Sequence, residues 1–300
     1  LQRYLFDLSW HMYRSYHSFG FMSAEVNGFQ KPTGHIFGVL SSIQSVLKQN
    51  PKAHITLCLD GHAGGKEIIE GYKAGRTKLA YDIMQDTELI QVLATKHPNV
   101  EVVGNPNAEA DLVMHVLAKW YESKGDEVVI FSGDDDMLQS LSPNISIYRG
   151  MSKDGEVWIT PEEYHKNERL VSKYHNCPID RLPEFRALIG DKSDNITGIP
   201  RIPRKLALQL ASLLDMSSGR AIRQTLKRAR VEVEGPGSWD KYMSICEVES
   251  DRLALNYSVM KLDKCKVKRV VSEKDFSDII PQLKLSKWEN FLEEVSCGTE

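Results

Sequence analysis

The chain has 300 residues, enough for one large domain or a domain with a smaller lobe. Hydrophobic residues make up 41% and charged residues 26%, an ordinary globular balance that argues against a disordered chain. The net charge of −3 excludes a uniformly basic nucleic-acid binder, so any phosphate-binding charge must be regional.

In chain order, Tyr4 to Leu8 reads as a short buried strand closing on Asp7. Ile36, Phe37, Leu40, Ile43 and Leu47 form a helical stripe from Gly34 to Lys48, which Asn50-Pro51 breaks. His54 to Leu59 reads as a second strand, again followed by an acid, Asp60. Residues 61–98 form a long excursion carrying Tyr72, Lys73, Arg76 and Lys78, with a helix expected from Leu79 to Lys96. Val100 to Val103 reads as a third strand, and Asn107 as the cap of a helix bearing Leu112, Val113, Val116 and Trp120. Val128 to Phe131 is the fourth strand and runs into Asp134-Asp135-Asp136. Short strands are expected at Asn144–Tyr148 and Glu156–Ile159, with a mainly helical reading from Pro161 onward and a loop at Glu234–Ser238.

Alternating strands and helices imply a mostly parallel α/β sheet, which binds ligands beyond the carboxyl ends of its strands. Asp7, Asp60 and Asp134 stand where strands end, and Glu109 and Asp111 where a helix begins. Asp136, Asp191 and Asp194 complete the acidic set, the last two on one face if their turn is helical. Crowded carboxylates repel, and a divalent cation relieves the repulsion. Oxygen donors without His or Cys suit Mg2+ or Mn2+ rather than zinc. The plain alternative is that such an Asp only caps the following helix, with Asp135 facing solvent.

The five cysteines, Cys58, Cys177, Cys246, Cys265 and Cys297, are scattered without a CxxC pair, which fits a reducing, cytoplasmic setting. LQRYLFDLSW has no basic segment leading into a long apolar run, so no signal peptide is expected. No apolar stretch approaches the roughly 20 residues that span a bilayer. Arg220, Arg223, Lys227, Arg228 and Arg230 form a basic run that reads either as a duplex-backbone track or as a solvated helix face.

Six segments stand in order through about the first 210 residues: LFDLSWHMYRSYHSF, KPTGHIFGVL, EGYKAGR, NAEAD, SGDDDMLQSLSPNI and GDKSDNITGIP, with LALNYSVMKLD a weaker echo. In these boxes the sequence resembles the 5′-nuclease superfamily of phage 5′-exonucleases, flap endonucleases and the 5′-nuclease domain of bacterial DNA polymerase I. The resemblance implies a PIN-like 5′-nuclease fold with a central sheet, a helical arch near 61–98 and a helix–three-turn–helix DNA-binding motif near 184–213. It implies an α/β core over 1–175 and a helical DNA-binding region over 176–300.

It further implies two metal ions, Mg2+ with Mn2+ as substitute. One is served by Asp7, Asp60, Glu109 and Asp111, the other by Asp134, Asp136, Asp191 and Asp194. Lys73 and Arg76 would act on the scissile phosphate. Arg14, Tyr72, Gly198, Arg201, Arg204 and Lys205 would contact DNA. The implied substrate is branched, gapped or nicked DNA with a 5′ end, or an RNA–DNA hybrid, cut by a stand-alone, monomeric, phage-type or accessory replication nuclease.

Three features depart from the family pattern. Leu8 replaces a glycine after the first acid, and Leu112 replaces the last acid of the NAEAD box. Arg201 and Pro203 replace glycines of the DNA-binding hairpin; proline has no N–H to offer, so the family's K+ site is not expected to survive intact. These departures keep two other readings open: a branched-DNA binder with weak or no activity, and a PIN-type ribonuclease.

Overall fold

The structure, a computed structural model, describes residues 1–61, 79 and 81–297. Strand β1 (Gln2–Asp7) leads into helix α1 (Leu8–Ser18), a hairpin of β2 (Ser23–Val26) and β3 (Phe29–Pro32), and helix α2 (Gly34–Gln49). Then come β4 (His54–Leu59), α3 (Thr87–Ala94), β5 (Val100–Gly104), α4 (Ala110–Glu122), β6 (Glu127–Phe131), β7 (Ile145–Ser152) and β8 (Gly155–Ile159). A helical stretch follows: α5 (Pro161–Lys166), α6 (Glu168–Tyr174) and α7 (Leu182–Ile189), a short hairpin of β9 (Gly190–Asp191) and β10 (Ile196–Thr197), then α8 (Arg204–Leu213), α9 (Gly219–Glu232), α10 (Asp240–Val248) and α11 (Ser250–Met260). Strand β11 (Lys268–Arg269) and helix α12 (Ser286–Cys297) close the chain.

The main sheet has the order β11-β5-β4-β1-β6-β7-β8. Strands β5, β4, β1, β6 and β7 run parallel, and β11 and β8 are antiparallel edges. The parallel strands are nearly continuous in Val, Ile, Leu and Phe because helices cover both faces. Leu5, Phe6, Ile55, Leu57, Val102 and Ile130 are almost fully buried. The register is the feature that matters for the site. Asp7 pairs with Cys58, Phe6 with Phe131 and Leu59 with Gly104, so β1, β4, β5 and β6 finish along one rim.

The chain forms two compact units. The first holds the main sheet, with the described residues of 1–159 and those of 264–297. The second holds the helical stretch Thr160–Asp263. The expected division at 175 therefore shifts, and residues after 263 return to the first unit. They do so because β11 adds a strand to β5, and because Trp288 and Phe291 are buried against the α2–α3 side, where Trp288 Nε1 donates to the Leu93 carbonyl at 3.1 Å.

Other elements differ from the sequence reading. Helix α1 shows little apolar period in the sequence, because its buried face carries His11 and Ser15 beside Leu8 and Met12. The helix expected over Leu79–Lys96 is a 3-10 turn at Ile83–Asp86 running into the shorter α3. Asp86 at that junction is buried and accepts from His35 Nε2 at 2.8 Å, Lys31 Nζ at 2.5 Å and Tyr81 Oη at 2.9 Å. This ties β3, the start of α2 and the turn together. Asp191 and Asp194 lie on and beside the β9–β10 hairpin, not on a helical turn.

Candidate active site

Each acid of the first unit is set by a local rule. Asp7 is the N-cap of α1: its Oδ1 accepts from the Trp10 N–H at 3.0 Å. Its Oδ2 accepts from the Ser132 hydroxyl at 3.2 Å, and Ser132 Oγ accepts in turn from the Asp134 N–H at 3.2 Å. Ser132 thus couples the ends of β1 and β6. Asp134 caps the 3-10 turn Asp135–Ser140, accepting from the Asp136 N–H at 2.9 Å.

Asp60 also acts as a cap, but across the chain. Its Oδ1 accepts from the Ala110 N–H at the start of α4 at 2.9 Å. Asn107, expected to cap that helix, does not: Glu109 occupies the cap position without a capping hydrogen bond from its side chain, and the Asn107 N–H donates to Asn105. Gly61 makes the approach possible. Its N–H donates to the Ala108 carbonyl at 2.8 Å, and a methyl on its Cα would collide with the carbonyls of Asn105, Pro106 and Ala108. Asp60 is thereby drawn to the turn carrying Glu109 and Asp111.

Electrostatics report the crowding. Burial, then Asp60, push the Asp7 carboxyl up to about 8; the Trp10 N–H opposes this, and Asp134 and Asp111 add to it. Burial, with Asp7 and Glu101, raises the Cys58 thiol well above its usual range, so the cysteine beside the site stays protonated and inert. The structure therefore brings Asp7, Asp60, Asp111 and Asp134 into mutual influence, with Glu109 and Asp136 on the same two turns. Among the described residues no three acidic, histidine or cysteine side chains close on one point as a cage. Magnesium binds through one or two carboxylates and keeps several waters, so an open oxygen set of surplus negative charge fits that ion.

Asp135 is not at the surface. Its carboxylate pairs with Arg149 Nη2 at 2.7 Å, with both side chains more than nine-tenths buried. Arg14, expected to hold a phosphate, uses its guanidinium otherwise: Nη1 donates to the Arg149 carbonyl at 2.6 Å and Nη2 to that of Met151 at 3.0 Å. Tyr72, Lys73 and Arg76 lie outside the described residues.

Asp191 and Asp194 are buried in the second unit. Burial would raise the Asp191 carboxyl, but hydrogen bonds from Ser193 and the Arg186 guanidinium, 2.8 Å away, outweigh it and leave it below its usual value. Gly198 packs backbone to backbone on Ile189 and Gly190, with no room for a side chain on either glycine. Arg201 adopts φ 56°, the left-handed conformation that glycine takes without strain. The turn is thus kept while its residue becomes a cation, exposed together with Arg204 and Lys205. In α9 the basic run divides. Arg223 pairs with Asp251 and Arg230 with Glu247, whereas Arg220, Lys227 and Arg228 are exposed.

Residues 2–174 match the family described as 5′-3′ exonuclease, N-terminal resolvase-like domain. The chain is 27% identical over 262 residues to a 5′-3′ exonuclease of Aquifex aeolicus, covering 86% of this chain and 81% of that protein. It is 34% identical over 182 residues to the thermostable DNA polymerase I of Thermus filiformis, covering 60% of this chain but only 20% of the polymerase. Among solved structures, the T5 D15 protein co-crystallised with metal ions superposes with a TM-score of 0.62 at 15% identity, over 98% of both chains.

Proposed function

The chain belongs to the 5′-3′ exonuclease family, and from that premise we propose that it cuts phosphodiester bonds near free 5′ ends of branched, gapped or nicked DNA using two divalent ions. The observation that carries the reading is the shared rim where β1, β4 and β6 end, with Asp60 bonded to the start of α4, which sets Asp7, Asp60, Asp111 and Asp134 close enough for burial and mutual repulsion to raise the Asp7 carboxyl. Acids collected at such electrostatic cost on the carboxyl rim of a parallel sheet call for cations.

Bound divalent ions would supply Lewis acidity and charge neutralisation at the phosphodiester. Asp7, Asp60, Glu109 and Asp111 are the oxygen donors proposed for one ion, and Asp134, Asp136, Asp191 and Asp194 for the other. Mg2+ is the proposed physiological ion and Mn2+ its substitute. The N-terminus of α4 and the caps at Asp7 and Asp134 hold the Asp60, Asp7 and Asp134 carboxylates in place before any ligand arrives. Lys73 and Arg76 are proposed to oppose charge developing on the phosphate, and Tyr72 to stack on a base at the 5′ end. Gly198, Arg201, Arg204 and Lys205 are proposed to grip the duplex backbone, fixing position rather than sequence. Arg201 and Pro203 argue for a charge-based grip in place of a potassium-bridged one. The proposed setting is primer or flap removal by a monomer acting in a bacterial or phage-infected cell.

A product map on 5′-labelled flap DNA, with and without chelator, tests this. Cleavage is expected only with the ion. Asp134→Ala and Asp191→Ala are expected to lose it while still binding the flap in calcium. Full cleavage by both variants would overturn the reading. Leu112, in place of an acid, favours one second reading, a branched-DNA binder that does not cut. Failure to cleave with either Mg2+ or Mn2+ would select it.

A further inference from the structure

Three consecutive aspartates follow β6, and the structure sorts them. Asp134 takes the cap position and Asp136 the turn, while Asp135 is directed to Arg149 at 2.7 Å in a site where the two side chains are 6% and 8% exposed. Arg149 gets there through a β-bulge. Between the pairs Tyr148–Trp158 and Met151–Glu156, Arg149 and Gly150 together stand opposite Val157. Bulges of this kind re-aim a side chain.

The bulge is held from α1. Arg14 donates to the carbonyls of Arg149 and Met151, and Gly150, at φ 86°, leaves no room for a Cβ beneath that guanidinium. Arg14 also lies 5.5 Å from the centre of the Trp10 ring, and the Trp10 N–H donates to the capping carboxylate of Asp7. A continuous path therefore runs from Asp7 through α1 and the bulge to Asp135. Among the described residues the buried Nε and Nη2 of Arg149 make no hydrogen bond, so the 2.7 Å contact of Nη2 with Asp135 holds this cation as an ion pair.

We infer that Arg149 is a positioning residue: by neutralising Asp135 it removes the middle aspartate from competition and leaves Asp134 and Asp136 to serve the ion site. The inference rests on the nuclease reading of that site. Its logic is electrostatic. A buried carboxylate without its partner repels its neighbours and seeks any cation within reach. Unpaired, Asp135 would draw the turn, or the ion, away from the working geometry.

The test compares Arg149→Met, Arg149→Met with Asp135→Asn, and Arg149→Lys. Mn2+ binding is read by calorimetry without DNA, and kcat and KM on 5′-flap DNA with Mg2+. Arg149→Met is expected to weaken Mn2+ binding and lower kcat by about ten- to hundredfold, the range seen when a metal ligand loses its supporting partner, with KM little changed. Adding Asp135→Asn, which removes the stray charge, is expected to restore most of both, and Arg149→Lys to retain most of both. Wild-type Mn2+ binding and kcat in Arg149→Met, or a double variant no better than the single, would overturn the inference.

Should Arg149→Met fail to fold by circular dichroism, the double variant is compared with Asp135→Asn alone, which strands a buried cation beside Asp134 and Asp136. Weaker Mn2+ binding in that single variant supports the sorting role, and equal binding overturns it. A wild-type protein that binds Mn2+ but never cuts flap DNA would overturn the nuclease reading while leaving the binding comparison intact.

Discussion

Replacing Asp7 by asparagine separates the electrostatic cost of the acidic rim from its use. The Asp7 carboxyl is raised to about 8 from an ordinary 3.8, first by burial and then by Asp60, with Asp134 and Asp111 adding to the rise. The folded protein therefore keeps this proton across a window, from about 4 to about 8, in which the unfolded chain has released it. The contribution to stability is full below the lower value and is lost as pH rises through the window. At ~1.4 kcal/mol per pH unit, the three units up to neutrality give ~4 kcal/mol. Asp7 is largely but not fully buried, and solvent at the rim screens part of this, so ~2 kcal/mol is expected. Urea unfolding in chelator at about pH 5 and about pH 8 should show the wild type losing ~2 kcal/mol relative to Asp7→Asn. Excess Mg2+ should reverse the order, because only the wild type keeps the charge that binds the ion. Parallel pH profiles in chelator would refute the claim that the rim is electrostatically strained.

Other perturbations address the supports. Asp86→Asn should cost about 3 kcal/mol at neutral pH, since it breaks a buried charged network with Lys31 and His35. Although burial would raise the Asp86 carboxyl, its donors leave it lowered, so the stabilisation is full above the ordinary carboxylate range and lost as pH falls through the lowered value; thermal melts across acidic pH check this. Gly61→Ala should destabilise by about 1–3 kcal/mol through overpacking against the β5–α4 turn and should weaken Mn2+ binding by displacing Asp60, read by calorimetry. Arg201→Gly should raise stability by about 1 kcal/mol by relieving a left-handed non-glycine residue. The same change should weaken flap binding and make its salt dependence shallower by about one ion, measured by titration at several salt concentrations.

Much of the rim was legible because its acids obey a topological rule. Strands ending in Asp7, Asp60 and Asp134 were readable from short apolar runs, and a parallel sheet places such ends together. The supports were not legible. Ser132 matters because it bonds both Asp7 and Asp134, a pairing of residues 125 apart that no spacing reveals. Gly61 looked like loop glycine, and its role is close backbone approach. Asp135 looked solvent-facing because its partner, Arg149, reaches it only through a bulge that breaks the strand period. Helix α1 escaped because its buried face includes polar His11, whose Nε2 bonds Ser42 at 2.8 Å and whose ring burial holds its pKa down at about 3.

The plain and the functional readings of these acids also prove not to compete. A carboxylate has two oxygens, and at each strand–helix junction one of them caps a backbone N–H: Trp10 for Asp7, Ala110 for Asp60, Asp136 for Asp134. The cap fixes the rotamer, and the partial positive charge of the helix end offsets part of the crowding, so the remaining lone pairs are oriented before an ion arrives. It follows that the choice of substitution decides what an experiment measures. Asparagine keeps the capping oxygen and removes the charge, so it isolates ion binding. Alanine removes both and adds a capping loss of about 1 kcal/mol. If the cap serves only the fold, Asp60→Asn and Asp60→Ala should bind Mn2+ equally poorly and differ in stability alone. If the cap also orients the site, an added Asp134→Asn should cost more binding in the alanine background than in the asparagine one.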